Sequence, residues 1–404
     1  MIDQEHLLAQ LADELPAQRW FGASSVAGID VVRELPEKLV QVIVRGDDGG
    51  RYQTVLGVRD DGSIVDATTD SNLSLALFHQ TMPDEDVAKV RPLGAEQSNT
   101  SLVFDERIVL KLFRRLTDGQ NPDVEVTRAL AEHGYTHVVA PMGEWRDDDG
   151  DYAVVTELLI GAADGWQVAL TSLHDLYDRR VPPDEAAGDF GFEAQRLGRT
   201  IAELHVAMAE AFGIVEADVE GWIADMASQL ARVDMSARDA RAARVVYESL
   251  RDVDAGPSFR IHGDLHLGQT LLHDLGWYVL DFEGEPARPI DERRRPSTPM
   301  RDVAGMVRSL HYAAQVALRD IGGVEDADLR ALADGWERHN AERFLAGYSG
   351  YGDVARILPL EDARATVQRA FELDKAVYEV AYEQGHRPDW ADIPLSAVRR
   401  LLEV

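Results

Sequence analysis

Residues 261–283 read IHGDLHLGQTLLHDLGWYVLDFE, apolar text interrupted by two polar clusters. Asp264 is followed by Gln269 five positions on and by Asp281 seventeen positions on. The spacing predicts two short extended segments whose ends present carboxylates toward one place, with an amide between them. An ionised carboxylate can take up a hydroxyl proton, and a second carboxylate with an amide oxygen makes the hard donor set that magnesium binds beside phosphates. The chemistry this supports is phosphoryl transfer to an alcohol, with Asp264 as the catalytic proton acceptor and Gln269 and Asp281 as metal ligands. Taken alone, His-Gly-Asp reads as an Asx turn and DFE as a turn after a strand. The joint spacing, with the partner groups that follow, carries the catalytic reading.

Phosphates need a cation. In IVLKLF, Lys111 occupies an inward-facing strand position among Ile108, Leu110 and Leu112, and Glu125 follows fourteen residues on, near the start of a helix expected from NPDVEVTRAL. The order Lys111, Glu125, Asp264, Gln269, Asp281 follows that of protein kinases, with Gln in place of Asn and DFE in place of DFG. The nucleotide loop departs from that pattern. LGAEQSNTSLVF has one glycine, Gly94, before its strand, so Ser98, Asn99, Thr100 and Ser101 are expected to supply hydroxyl, amide and backbone donors. The adenine pocket is placed at Glu157, Leu158 and Leu159, where VVTELLIG ends a strand and frees backbone groups for a purine edge.

These residues need elements to hold them, and 404 residues allow two or three domains. Residues 1–90 combine an amphipathic helix with alternating stretches and Asp-Gly turns, the pattern of a small α/β cap. In 91–160, SLVFDERIVLKLFRRL and VVAPMGEWRDDDGDYAVVTELL each read as a hairpin, with EVTRALAEHG as a helix between them. From 161 to 404, apolar residues recur at helical spacing, as in AQRLGRTIAELHVAMAEAF. With 41 basic and 72 acidic residues the formal charge is −31, which repels nucleic acid and anionic membranes. Cysteine is absent, which excludes disulfides and thiolate metal sites and fits a cytoplasmic protein. The acidic N-terminus lacks the basic start of a signal peptide, and no apolar run approaches the roughly 20 residues of a membrane span. The expectation is a soluble, cytoplasmic monomer whose partner is a small molecule, with no nucleic acid and no membrane.

The segments HGDLHLGQ and DFEGEP, with RWFG at 19–22, GAEQSNTSLVF, LKLFRRL, RDVAGM at 301–306 and KAVYEVAYE at 375–383, resemble those of bacterial maltokinases and actinobacterial glucosamine kinases, relatives of the aminoglycoside phosphotransferases. The resemblance spans nearly the whole chain. It implies an α+β, two-lobed, protein-kinase-like fold with an N-terminal α/β cap and a mostly helical C-terminal lobe. It also implies ATP- and Mg2+-dependent phosphorylation of a sugar hydroxyl. The shortened cap leans the substrate toward glucosamine, at its 6-hydroxyl, with maltose, giving maltose 1-phosphate, as the alternative.

A carboxylate-rich region suits a cationic amino sugar or the hydroxyls of a neutral one. Glu283, Asp302, Glu379 and Glu383 are candidates for sugar contact, and Glu285 and Asp291 are available nearby. Glu379 and Glu383 share one face of a helix expected to stop at Gly385, with His386, Arg387 and Trp390 beyond it as further candidates. The bland reading is that Trp390 pins the terminus to the core and that the glutamates are solvated. Arg293, Arg294 and Arg295 stand where an activation loop would, either as a solvated basic loop or as a lid sensitive to phosphorylation at Ser297 or Thr298. Two further classes stay open: a metallohydrolase built on His262, Asp264 and His266, and a catalytically silent nucleotide sensor.

Overall fold

Strand-like alternation in 26–66 has to bury one face, and two cores in this part of the chain do so. A computed structural model describes residues 4–59, 63–94, 99–185, 189–285 and 288–403, and the chain divides into two compact units: 1–128 with 139–161, and 129–138 with 162–404. In the first unit Val26–Leu35, Leu39–Gly46, Arg51–Val58 and Ile64–Asp66 form an antiparallel sheet in chain order, joined by Arg115–Leu116 on the third strand. A second sheet runs Val90–Pro92, Asn99–Phe104, Ile108–Phe113, Gly150–Glu157, Pro141–Asp147. Both expected hairpins are present. Asp105 and Glu106 turn the first with φ of 48° and 53°, in a loop of three residues between the paired Phe104 and Ile108.

The cap of residues 1–90 has a buried cluster of its own, with Leu7, Leu11, Phe21, Val42 and Tyr52, and shares a second with the neighbouring sheet. Leu39, Val55 and Phe78 pack in one buried cluster with Phe104, Leu110 and Val155 of the second sheet. Buried Gln53 also donates to the carbonyls of Phe113 and Tyr152, at 2.8 and 2.9 Å. Residue 90 lies inside the first unit, whose last segment ends at Gly161. Phe21 of RWFG is core, 4.6 Å from the Tyr52 ring, and Trp20 lies under the Arg114 guanidinium.

The second unit is helical, as its periodicity predicts. Its principal helices are Gly165–Arg179, Phe190–Phe212, Val219–Leu230, Ala237–Glu248, Met300–Asp320, Ala327–Ser349, Glu361–His386 and Asp392–Leu402. The only strands of the opening stretch are a short hairpin, Thr270–His273 with Gly276–Val279. Residues 129–138 belong here because His137 bonds to Trp277 and Val279 of that hairpin. Among the described residues no helix is long and apolar enough to cross a membrane.

Candidate active site

Asp264 does not end a strand. It lies in a loop between the Phe259 bridge and a single turn of 3-10 helix, Leu267–Gln269, and the helix Met300–Asp320 fixes that loop. Asp302, 1% exposed, accepts from the backbone N–H of His262 and of Gly263, both at 2.8 Å, and from His205 Nε2 at 3.2 Å. The His205 donor is aligned by its other nitrogen, 2.7 Å from the Tyr348 hydroxyl. Burial works against a charge on Asp302, yet His205 and these N–H groups hold its carboxyl below the ordinary aspartate range. Gly263 has a φ of 84°, open to glycine at little cost. Gly305 lets the helix touch the loop, because a Cβ there would stand 2.5 Å from the Leu265 carbonyl oxygen.

The loop histidines are structural. His262 accepts from Asp264 N–H at Nδ1 (3.3 Å), so its Nε2 carries the proton given to the Leu280 carbonyl at 2.9 Å. With both nitrogens engaged, His262 has no lone pair for a metal, which removes the basis of the metallohydrolase reading. His266 accepts from Gly268 N–H and closes the 3-10 turn, and burial pushes its pKa down, toward the neutral ring.

Gln269 ends that turn, and Asp281 lies just past the hairpin with a φ of 60°, a strained backbone for an aspartate. Gln269 Nε2 donates to Asp281 Oδ2 at 3.2 Å, which pairs the two side chains and turns the amide nitrogen, not its oxygen, toward the carboxylate. Glu283 brings a carboxylate oxygen within 4.8 Å of one of Asp281. Two anionic oxygens so close repel each other unless a cation intervenes, and an all-oxygen donor set suits Mg2+. Glu283 thus lies with the candidate cation ligands.

A second network meets the other side of Asp264. Lys375, from the helix Glu361–His386, donates to Asp264 Oδ1 at 3.0 Å and to Glu285 Oε1 at 2.8 Å. Glu285 is 4% exposed and also accepts from Arg288 and Arg301. Burial alone would raise its pKa, but the three cations hold it far below the ordinary glutamate range. Burial likewise disfavours the charge on Lys375, and Glu285 and Asp264 more than restore it. Beside them Asp374 is pushed up to about 6, chiefly by burial, with Arg288 and Arg301 only partly offsetting it.

The remaining sugar candidates are engaged by neighbouring side chains. Glu379 pairs with buried Arg308 at 2.6 Å, and Glu383 accepts from Tyr312 and from both sides of the Arg387 fork. Trp390 stacks between Arg387 and Arg319 at 4.8 and 5.4 Å, and His386 is exposed and stacks on Tyr382. The helix runs through Gly385 to His386. These glutamates are ion-paired, in contrast to the solvated reading. Ser297 and Thr298 are buried, and Phe259 and Ser297 exchange both backbone hydrogen bonds, so neither hydroxyl sits on an open lid. Arg293 donates to the carbonyls of Arg288 and Glu283, tying its segment to the DFE turn.

In the first unit Lys111 is in the middle of its sheet, opposite Ser101 on one side and Val154 on the other. Its Nζ donates at 3.0 Å to Asp123, an acid outside the sequence expectation, in the first turn of the helix Pro122–Glu132. Glu125 is half-buried in that same turn. The Asn121 side chain accepts from Asp123 N–H and caps the helix. Asn99, Thr100 and Ser101 begin a strand, and the Thr100 hydroxyl accepts from buried Arg114 at 2.8 Å, which engages a lone pair and leaves its own O–H to donate; Ser98 lies outside the described residues. Glu157 ends its strand as expected, exposed, with Leu158 N–H bonded to the Arg107 carbonyl and Leu159 half-buried.

Sequence reasoning passed over Asp123, His205, Arg288, Arg301, Asp374 and Lys375. Lys375 had one visible signal, a lone cation amid the apolar and acidic text FELDKAVYEVAYE.

No family model matches the chain. It is 30% identical over 336 residues to a glucosamine kinase of Mycolicibacterium smegmatis, covering 78% of this chain and 79% of that one. To a glucosamine kinase of Streptacidiphilus jiangxiensis it is 28% identical over 413 aligned positions, 93% and 91% of the two chains. A solved glucosamine kinase in complex with glucosamine, ADP and inorganic phosphate superposes with a TM-score of 0.71 at 25% identity, over 98% of this chain and 99% of that one. A second crystal form of a glucosamine kinase gives 0.75 at 25% identity with the same coverage.

Proposed function

The chain belongs to the glucosamine kinase family, and from that premise we propose that it transfers the γ-phosphoryl group of ATP to the 6-hydroxyl of glucosamine. It is an ATP-dependent sugar kinase with the α+β, kinase-like fold expected from its sequence. One observation carries the residue assignment. Asp264 sits on a loop fixed through Asp302, with Oδ1 engaged by Lys375 and, among the described residues, no hydrogen bond to Oδ2.

Phosphoryl transfer leaves a protein two tasks, neutralising phosphate charge and aligning a weak nucleophile. Lys111, in a lysine–aspartate pair with Asp123, is the residue assigned to the nucleotide phosphates. Gln269 and Asp281, with Glu283 beside them, would hold Mg2+, which when bound neutralises charge on the phosphates. Asp264 accepts the proton of the sugar hydroxyl at Oδ2 as its oxygen bonds to phosphorus and ADP departs. The 6-hydroxyl is the sole primary alcohol of the sugar and stands well away from the 2-ammonium, so it reaches a recessed carboxylate with least hindrance.

The test is Asp264→Asn with glucosamine, glucose and maltose as acceptors. General-base catalysis is worth about 10²- to 10⁴-fold, so turnover of glucosamine should fall by that factor while ADP binds as before. Full activity in the variant, or unmodified protein that prefers maltose, would sink the proposal.

A further inference from the structure

The contact between Lys375 and Asp264 joins residues 111 positions apart, and neither the lysine nor its anchor belongs to the order Lys111, Glu125, Asp264, Gln269, Asp281. Lys375 Nζ has three neighbours that fix it: Asp264 at 3.0 Å, Glu285 at 2.8 Å and the face of the Tyr378 ring at 4.8 Å from its centre. Glu285 is anchored in turn, because its other oxygen accepts from Arg288 and Arg301. Arg288 reaches on to the Gln229 amide oxygen at 3.4 Å, so the anchor is tied to a further helix, Val219–Leu230.

We propose that Lys375 is a positioning residue for phosphoryl transfer: by fixing Oδ1 of Asp264 it sets the carboxylate plane and leaves Oδ2 for the acceptor hydroxyl. The inference rests on the reading of Asp264 as proton acceptor. An aspartate has two side-chain torsions, and the outer one is a broad, roughly two-fold rotor. A general base must come within about 2.6–3.2 Å of the hydroxyl oxygen, and a displacement of about 1 Å can cost 10²-fold in rate. Asp302 fixes the backbone at 262 and 263 but not the Asp264 side chain, and Lys375 supplies the missing constraint. In the step itself the hydroxyl oxygen bonds to the γ-phosphorus, the bond to the bridging oxygen breaks with its electrons remaining on ADP, and the hydroxyl proton goes to Oδ2. Lys375 keeps its own proton throughout.

Full-length K375M, K375R and D264N proteins, compared by steady-state kinetics with glucosamine and MgATP and by ADP titration, test this. K375M is expected to lower kcat about 10²-fold while ADP affinity and the KM for ATP stay within about threefold. K375R keeps the charge and the donors and is expected to recover kcat at least tenfold over K375M. A K375M kcat within threefold of the unmodified protein overturns the proposal, as does K375R no better than K375M. Loss of ADP binding alongside kcat in both variants shows a merely structural contact and also overturns it. An active D264N would instead overturn the assignment of Asp264, a separate failure.

Discussion

Replacing Asp302 with Asn keeps its shape and removes one acceptor. Oδ2 receives His262 N–H and His205 Nε2, and Oδ1 receives Gly263 N–H. An amide has one oxygen, so its least costly orientation places that oxygen where Oδ2 was and turns an NH2 toward the Gly263 N–H. The Gly263 N–H is then unsatisfied, at about 1–3 kcal/mol, facing an NH2 that lacks an acceptor there, and the other two bonds lose the strengthening a charged acceptor gives. The sum is about 2–4 kcal/mol, within the range for breaking a buried charged network. For a unit of this size about 1 kcal/mol moves Tm by about 2–4 °C, so the melting temperature should drop by about 5–15 °C. The same N–H groups hold the backbone next to Asp264, so kcat should fall about 10²-fold, well beyond any change in ADP affinity. Calorimetry and steady-state kinetics on Asp302→Asn would check both. A variant that melts within 2 °C of the unmodified protein and turns over normally would refute the claim that Asp302 positions the loop.

Asp374 is nearly buried with its pKa pushed up to about 6 by burial, so folding favours its neutral form. A raised carboxyl pKa contributes stability below the unfolded value near 3.8, and that contribution is lost as pH rises through about 6. Asp374→Asn should therefore raise stability at pH 8 by up to about 2–3 kcal/mol and change it little at pH 4, read from denaturant midpoints at the two pH values; equal effects at both would contradict this. Gly305→Ala would set a Cβ 2.5 Å from the Leu265 carbonyl oxygen, and overpacking of this kind costs about 1–3 kcal/mol, so activity should fall along with Tm. Asp281→Asn removes one anionic donor of the candidate cation pair, and the Mg2+ concentration for half-maximal turnover should rise at least tenfold; an unchanged requirement would remove Asp281 from the metal site.

What the sequence made legible was local. The 105–106 turn, the hairpin with its Asp-rich turn and the long amphipathic helices each follow from periodicity or turn chemistry within a short window. Gln269 and Asp281 pair for the same reason, because one hairpin between them brings their side chains to 3.2 Å of each other. A boundary at residue 90 separates strands that share one buried cluster, because alternation marks strands without saying which core they share. Gln53 joins cap to second sheet through bonds that span 60 and 99 positions, and no short window contains them.

The same physics explains why Asp302, Glu379 and Glu383 looked like sugar ligands. Composition counts carboxylates without their cations, and in this chain of net charge −31 acids seem plentiful and cations scarce. Folding makes particular acids scarce: Asp302 is taken by His205 and two N–H groups, Glu379 by Arg308, and Glu383 by Tyr312 and Arg387. A buried ion pair adds little net stability, but removing one partner leaves the other charge uncompensated, so such pairs fix geometry more than they strengthen the fold. Around Asp264 two of these fixings meet from different helices, Asp302 holding the backbone and Lys375 the side chain. An acid whose backbone is held and one oxygen is engaged, with no described partner on the other oxygen, has the geometry that the proposed proton transfer asks of Asp264.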